Sequence, residues 1–479
     1  MSEELLLILG IILGVIVVLF AICLFRALKA PSRKPYHFEA EVDMKLADEY
    51  AKKLSAMVQQ ETVSNADDQD LTKFYEFHKF LEMSFPNIHK VCEKHDFDGS
   101  LLFKWKGESA KDPILLMHHF DVVEATGAWT YPPFAGEIID GKIYGRGTVD
   151  NKGPLFVMLQ AIEESIMEGF VPAADIYLAS SCTEEIGGKG APLTVQYLKD
   201  QGIKLRMLLD EGGMVIDSPL PMLDGTFAML GVVEKGYGDL KFIAKSTGGH
   251  ASAPGKNTPL VRLGKFMAEI EDKNPFRIEL TSTLKEMIRR ISPELPLKAK
   301  FFTENLWLFS PLIKVVVKQV PTLAAMTRTT LAFTKASGSE GYNVLPQEAY
   351  VTGNIRYIPH QANAECLGIL KRIASKYDIE IEVIYDGVPA PVVDYQSDQF
   401  KLVEEIINEV YPNVVVTPYT MTGGTDARFY GELTADGIRF APLFINTHQL
   451  DLIHGIDENI DVASLPLGVE FYKKLIRKI

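Results

Sequence analysis

Four cysteines in 479 residues are too few for a disulfide framework. Cys23 lies inside an apolar run, and Cys92, Cys182 and Cys366 match no zinc-ribbon or redox spacing. Free buried thiols in a reducing compartment are therefore expected. No Asn-x-Ser/Thr sequon occurs, which argues against passage through a secretory lumen. Positive charge is also short: 49 Lys and Arg face 63 Asp and Glu, a net charge of -14. That balance excludes a nucleic-acid backbone as the main partner, because phosphate binding needs concentrated basic residues. Low-complexity tracts and internal repeats are missing as well. What remains is 47% hydrophobic and 23% charged, ordinary packed-protein usage, and the length suits two to three domains.

One long apolar stretch stands out. Leu5 to Phe25 carries no charge or proline, and its about 21 residues span roughly the 30 Å hydrocarbon core as a helix. A cleaved signal peptide would start with basic residues, whereas Glu3 and Glu4 precede this run. A retained single-pass membrane anchor is expected. Arg26, Lys29, Arg33 and Lys34 follow it, and by the positive-inside rule this flank favours a cytosolic location for the bulk of the protein.

Nothing further along is long and apolar enough to span a bilayer. Ala40 to Gln60 reads as a helix. From Ile114 onward, short apolar runs (Ile114–Met117, Ile176–Ala179, Met207–Leu209) alternate with helical periods (Leu155–Met167, Ala191–Lys199). Such alternation implies an α/β domain, a mainly parallel sheet with helices on both faces. Strand-like Leu240–Ala244 and Tyr350–Ile358 around a helical stretch suggest an inserted α+β lid domain of dimerisation type. The expected organisation is 1–34 anchor and basic flank, 35–235 catalytic domain, 236–360 insertion, and 361–479 the rest of the catalytic domain, ending in a helix from Leu465.

Each of the three early strands is followed by chemistry: His118-His119-Phe120-Asp121, Thr183-Glu184-Glu185 and Asp210-Glu211-Gly212. In open α/β sheets ligands bind outside the carboxyl ends of the strands, so these groups should converge. His119, Asp150, Glu185, Asp210 and His454 form a mixed nitrogen and oxygen set that suits zinc and, less selectively, cobalt or manganese. Asp121 lies two residues after His119, so both side chains share a side and the carboxylate can orient the imidazole. Asp150 sits among glycines just before a helix and can bridge two cations. Adjacent Glu184 and Glu185 would repel each other at a strand mouth unless a cation intervened. One can then ligate while the other accepts a proton from the attacking water.

These residues resemble the zinc-dependent aminoacylase and carboxypeptidase superfamily. The likeness rests on His119-x-Asp121-Val122-Val123, Trp129 with Pro132-Pro133-Phe134-x-Gly136, Gly145-Arg146-Gly147-x-x-Asp150-x-Lys152-Gly153, Glu184-Glu185-x-Gly187-Gly188 and Leu209-Asp210-Glu211-Gly212. It covers nearly everything after the anchor. The carboxypeptidase S branch, with its N-fatty-acyl-amino-acid synthase/hydrolases, is nearest, through the N-terminal membrane segment, the long insert near Pro275 to Pro321 and Thr329-Thr330 before Asn343-Val344-Leu345-Pro346.

The resemblance implies two Zn²⁺ (Co²⁺ or Mn²⁺ as substitutes), one on His119 and Asp210, one on Glu185 and His454, with Asp150 bridging. It implies Glu184 as general base and Asp121 as orienting acid. Substrate would be contacted by His250, Asn343, Arg356 and Gly424, the last within Gly423-Gly424-Thr425-Asp426. Glu124, where proline is usual, and the additional imidazole His118, assigned to packing, depart from the pattern. The expected activity is cleavage of an amide bond next to a free carboxylate in small peptides or N-acyl amino acids, with a homodimer as a possible assembly. A dedicated deacylase of one biosynthetic intermediate and a catalytically inactive binding homologue are the alternatives; the intact ligand set and Glu184 weigh against the second. Apolar Phe301, Phe302, Leu306, Trp307, Leu308, Phe309, Leu312 and Ile313 in the insert suggest either a buried lid helix or the roof of an acyl-chain pocket.

If the first helix anchors the chain, the full-length protein stays in the membrane pellet through high salt and alkaline carbonate, because apolar burial and not surface charge holds it. Fractionation with immunodetection checks this, and release by salt alone would refute it.

Overall fold

The computed structural model describes residues 3–67, 70–219, 223–387 and 389–479. Its centre is a mixed, mostly parallel sheet of ten strands. Strand Ser109–Met117 lies between Ala174–Ser180 and Met207–Asp210 and runs parallel to both. Gly437–Arg439 continues the parallel set beside Met207–Asp210. Antiparallel pairing joins Ser100–Trp105 to both Glu93–Phe97 and Ala174–Ser180, and Thr226–Glu234 to both Val215–Asp217 and Gly437–Arg439.

The period of two along these strands divides the core. Ile114, Leu116, Ile176, Leu178, Met207 and Leu209 face helices Met44–Val58, Lys152–Met167 and Ser464–Lys478. Leu115, Met117, Tyr177, Ala179 and Leu208 point the other way, onto helix Gly190–Asp200 and the segment Asp426–Glu432. Runs apolar at every position are what a sheet covered on both faces requires. His118, at the end of the central strand, hydrogen-bonds through Nε2 to the Tyr472 hydroxyl on the last helix at 2.6 Å. Complete burial pushes its imidazole down to about 3, so it is a neutral packing group, as expected. All four cysteines are free and buried.

A second sheet has its own core. Thr330–Ser337, Glu348–Tyr357, Gly236–Lys245 and Glu380–Asp386 are antiparallel, backed by helices Pro259–Lys273 and Asn363–Ser375 around Leu240, Phe242, Phe266, Ile355 and Leu370. It runs from Gly236 to Asp386 and takes in Asn363–Ser375 and Glu380–Asp386, which lie past the expected limit of 360. Between the last residue of the first sheet's strand, Glu234, and the first of the second sheet's, Gly236, lies only Lys235. Its ammonium is buried and donates to Ala325 O (3.1 Å), Arg328 O (3.0 Å) and Thr330 Oγ1 (2.9 Å).

The insert is not a free-standing lid. Helix Ser282–Ile291 buries Leu284, Met287 and Ile291 in the first core, and Arg290 ties it to Glu404 and, at 3.0 Å, to Val416 O. Phe301, Phe302 and Phe309 pack edge-on or tilted against one another, and Phe301 meets Phe20 of the N-terminal helix Glu3–Lys29. That helix is long and apolar enough to cross a membrane, and its first half touches little else.

Leu178 is buried in the central sheet. Leu178→Ala is expected to lower unfolding free energy by about 2–5 kcal/mol, through lost transfer energy plus a cavity. Met167→Ala, at 69% exposure, should stay within about 0.5 kcal/mol of the parent. Denaturant titration of both variants checks the contrast.

Candidate metal centre

Three neighbouring parallel strands deliver the acidic and imidazole groups to one edge of the sheet. The strand ending at Met117 is followed by His119 and Asp121, that ending at Ser180 by Glu184 and Glu185, and that ending at Asp210 by Glu211. His119 Nε2 lies 3.0 Å from Asp150 Oδ1 and 3.4 Å from Glu211 Oε1. The other oxygen of Asp150 lies 3.1 Å from His454 Nε2, which is 3.2 Å from Glu185 Oε2. Asp150 thus stands between the two imidazoles, with one oxygen toward each. Two groupings have donor atoms close enough to share an ion: His119, Asp150 and Glu185, and His119, Glu184 and Glu211.

Asp121 organises two sides of this cluster. Its carboxylate accepts the backbone N–H groups of Glu184 and Glu185, each at 3.1 Å, and lies 3.4 Å from His119 Nδ1. His119 Nδ1 also donates to the Asp121 carbonyl at 2.9 Å, which leaves Nε2 facing the cluster.

Asp210 is not in this group. Its two oxygens accept the backbone N–H groups of Glu211 (2.8 Å) and Ala427 (3.0 Å), so the carboxylate holds the loop at 425–427 in place. The next residue, Glu211, faces His119, and its other oxygen accepts from Asn151 Nδ2. Neighbouring residues at a strand end point to opposite sides, and two acids in one motif give no local sign of which turns inward.

The loop carrying Asp150 depends on a residue that the sequence did not reveal. Glu458, fully buried, accepts from Arg146 (2.7 Å) and from the backbone N–H groups of Gly147 (3.1 Å), Val149 (2.8 Å) and Asp150 (3.1 Å). Gly147 is required there, since its φ is +88° and a Cβ would meet Val122 at 2.7 Å. A second buried pair, Arg439 with Glu234 at 2.8 Å, fixes the glycine-rich loop, because Glu234 also accepts Thr425 N at 2.9 Å. Both anchors join segments hundreds of residues apart, so no local pattern marks them.

The electrostatics favour added positive charge. Burial pushes Glu184 and Glu211 well above the usual carboxylate range, with neighbouring acids adding to the shift. Burial likewise pushes Asp426 up to about 7. Hydrogen bonds to Asp150 and Glu185 push His454 up to about 10. For His119, burial opposes protonation, but the Glu211 charge and the bonds to Asp121 and Asp150 prevail and raise it. Glu185 Oε1 and Asp426 Oδ2 are buried without a hydrogen-bond partner. Clustered buried carboxylates with an orphaned oxygen and two available imidazole nitrogens fit divalent cations.

Beside the cluster opens a cavity of about 920 Å³. Glu184, Arg428 and Arg356 line it together with apolar Met214, Ile216, Met229, Met326, Leu450 and Ile453. Arg356 stacks on Tyr237 at 4.6 Å, and its Nε donates to Asn354 Oδ1 at 3.0 Å. Gly424 lies where a Cβ would come within 3.5 Å of both Arg356 and Arg428. His250 and Asn343 are exposed and do not line the cavity; Ala251 N donates to Asn343 O at 2.9 Å beside a separate two-stranded sheet, Gly249–His250 with Val344–Leu345. Nor do the insert's eight apolar residues line it, so they form no roof, whereas Thr322 and Met326 just beyond them do.

A mixed α/β sheet with such a carboxylate and imidazole cluster at its edge defines a metallohydrolase class, and comparison specifies which. Residues 115–478 match the model of Peptidase family M20/M25/M40. The chain belongs to this family. It is 35% identical to "Probable carboxypeptidase S-like 2" of Dictyostelium discoideum, over 91% of this chain and 85% of the relative. It is 32% identical to "N-fatty-acyl-amino acid synthase/hydrolase PM20D1" of Homo sapiens, over 94% and 90% respectively. The M20 family metallo-carboxypeptidase Sso-CP2 of Sulfolobus solfataricus has the same fold, with a TM-score of 0.68 at 18% identity, over 90% of this chain and 98% of that one.

Removing the Glu458 carboxylate leaves Arg146 buried and unpaired, which costs about 3–5 kcal/mol. Glu458→Ala should also weaken cation binding about 10–100-fold through loss of the Asp150 loop geometry. Thermal denaturation and titration with Zn²⁺ after chelation check both effects.

Proposed function

We propose that this M20 hydrolase is anchored in a membrane by Glu3–Lys29 and cleaves the amide bond of N-acyl amino acids, and of small peptides, next to a free carboxylate. The observation that carries the reading is Asp150 placed between His119 and His454 with one oxygen toward each. Two cations would be held there, one by His119, Asp150 and Glu211, the other by Asp150, Glu185 and His454. The nitrogen and oxygen donor set favours zinc, with cobalt or manganese as substitutes. When bound, the cations supply Lewis-acid polarisation of the scissile carbonyl and of water.

The chain's own groups account for the rest. Glu184 faces the cavity with its main chain gripped by Asp121, and a carboxyl raised by burial suits the taking and returning of a proton. It accepts the proton of the attacking water and gives it to the departing amine. Arg428, 3.8 Å from Glu184, limits how far that carboxylate can swing. Arg356 engages the substrate's free carboxylate, for which a planar guanidinium offers two parallel donors. The acyl group lies along Met214, Ile216, Met229 and Met326. The apolar share of this lining favours long-chain N-acyl amino acids over short peptides. For His250 and Asn343 to meet substrate, a closing movement or a second copy of the chain must bring them to the cavity. By the positive-inside rule, the basic flank favours a cytosolic catalytic domain.

A panel of acetyl- and long-chain acyl-amino acids and blocked dipeptides tests the activity. Glu184→Gln should keep its metal while turnover falls by on the order of 10² to 10⁴. Glu185→Gln and Glu211→Gln should lose metal and partly recover with added zinc, whereas Asp210→Asn should keep it. Near-normal turnover in both glutamate variants at 184 and 185 would overturn the hydrolase reading. In parallel, Arg356→Lys should mainly raise KM, and amidation of the substrate should then carry no added penalty.

A further inference from the structure

The insert after the second sheet's first helix carries a feature that neither the cluster nor the cavity uses. Helix Leu306–Val317 is short and strongly apolar, and its exposed side chains are apolar too. Trp307, Leu312, Val315 and Val316 are exposed at 55%, 47%, 54% and 54%. Leu312, Val315 and Val316, spaced three and four apart, share one side of the helix, and Trp307 opens its first turn. A continuous apolar face of this kind is not stable in water unless something covers it.

The N-terminal helix identifies what covers it. Asn305 Nδ2, fully buried, donates to Cys23 O at 3.0 Å, and the Phe20 and Phe301 rings lie 5.3 Å apart. Lys300 Nζ donates to Pro31 O at 2.7 Å, and Arg26 donates to Glu304 O at 3.0 Å. The insert is thereby fixed beside the last turns of the apolar helix. Phe20 lies five residues inside the end of the run at Phe25, or about 7.5 Å along a helix axis. Groups level with Phe20 and Cys23 therefore lie inside the hydrocarbon boundary. Trp307 Nε1 is 3.4 Å from Asn305 Oδ1, which sets the indole at the depth where tryptophan prefers to sit. Lys298, Lys314 and Lys318 provide basic groups suited to anionic headgroups.

We infer that Leu297–Val317 is a second membrane contact, a platform whose apolar face is embedded in the same leaflet surface that the N-terminal helix leaves. The inference rests on the anchoring reading above. Thr322 and Met326, immediately after the platform, line the cavity, so the catalytic site is held close against the bilayer.

The test uses the full-length protein in phosphatidylcholine vesicles containing brominated acyl chains. Trp307 fluorescence is taken as the difference between the parent and Trp307→Phe, since Trp105 and Trp129 remain in both. Bromines on the upper acyl carbons should remove about half or more of the Trp307 signal, as for an interfacial indole. The variant L312E/V315E/V316E should lose that quenching yet stay with the vesicles through alkaline flotation. Equal Trp307 emission in plain and brominated vesicles by a protein that floats would overturn the platform and spare the anchor. So would a triple variant that stays quenched, or cross-linking through this face to a second copy without quenching. Release from vesicles by alkali would remove the anchor and the platform together.

Discussion

Uncompensated negative charge at one edge of the sheet is the constraint on which the site depends. Asp121, Asp150, Glu184, Glu185 and Glu211 meet there, opposed at close range by His119, His454 and Arg428. Burying so many carboxylates is unfavourable unless cations or fixed donors attend each. The fold supplies fixed donors wherever a carboxylate is structural, as at Asp121, Asp210 and Glu458, each saturated by backbone N–H groups. It withholds them where a carboxylate is to bind, as at Glu185, whose second oxygen has no partner. That difference separates scaffold acids from functional ones more sharply than burial does.

It also explains how much was legible beforehand. The parallel strands, the acids after them and the convergence could be read from alternation and motif, because each is a local pattern. His119, Asp150, Glu185 and His454 come together as expected. Asp210 does not, since a strand's alternation reverses within one residue and adjacent acids offer no clue to which is gripped by backbone. Glu458 and the Glu234–Arg439 pair were invisible because their partners lie far away in the chain. The second sheet's later end was missed for the same reason: Glu380–Asp386 joins it only through pairing with Gly236–Lys245. His250 and Asn343 were named through resemblance, and geometry alone would not have selected two exposed residues outside the cavity.

The insert divides the labour differently from what its composition suggested. Its first helix is structural, pinned to the main core; its aromatic cluster meets the N-terminal helix; only its final residues reach the cavity. Apolar composition alone could not distinguish a core helix, a pocket roof and a surface for another apolar phase. The contacts of Asn305 and Phe301 make that distinction.

Lys235 gives the arrangement a property of its own. Arg356 belongs to the second sheet and Glu184 follows a strand of the first, and the chain first passes from one sheet to the other through a single residue, Lys235, whose Nζ donates to three oxygens. These three bonds brace the joint against the segment at 325–330, so it restrains movement between the sheets without forbidding it. If Arg356 grips the substrate carboxylate and Glu184 carries the proton, as proposed, that restraint narrows the spacing between the two. A substrate whose charge stands a residue too far from the bond to be broken would then fail to reach both groups, whatever the chemistry of its side chains.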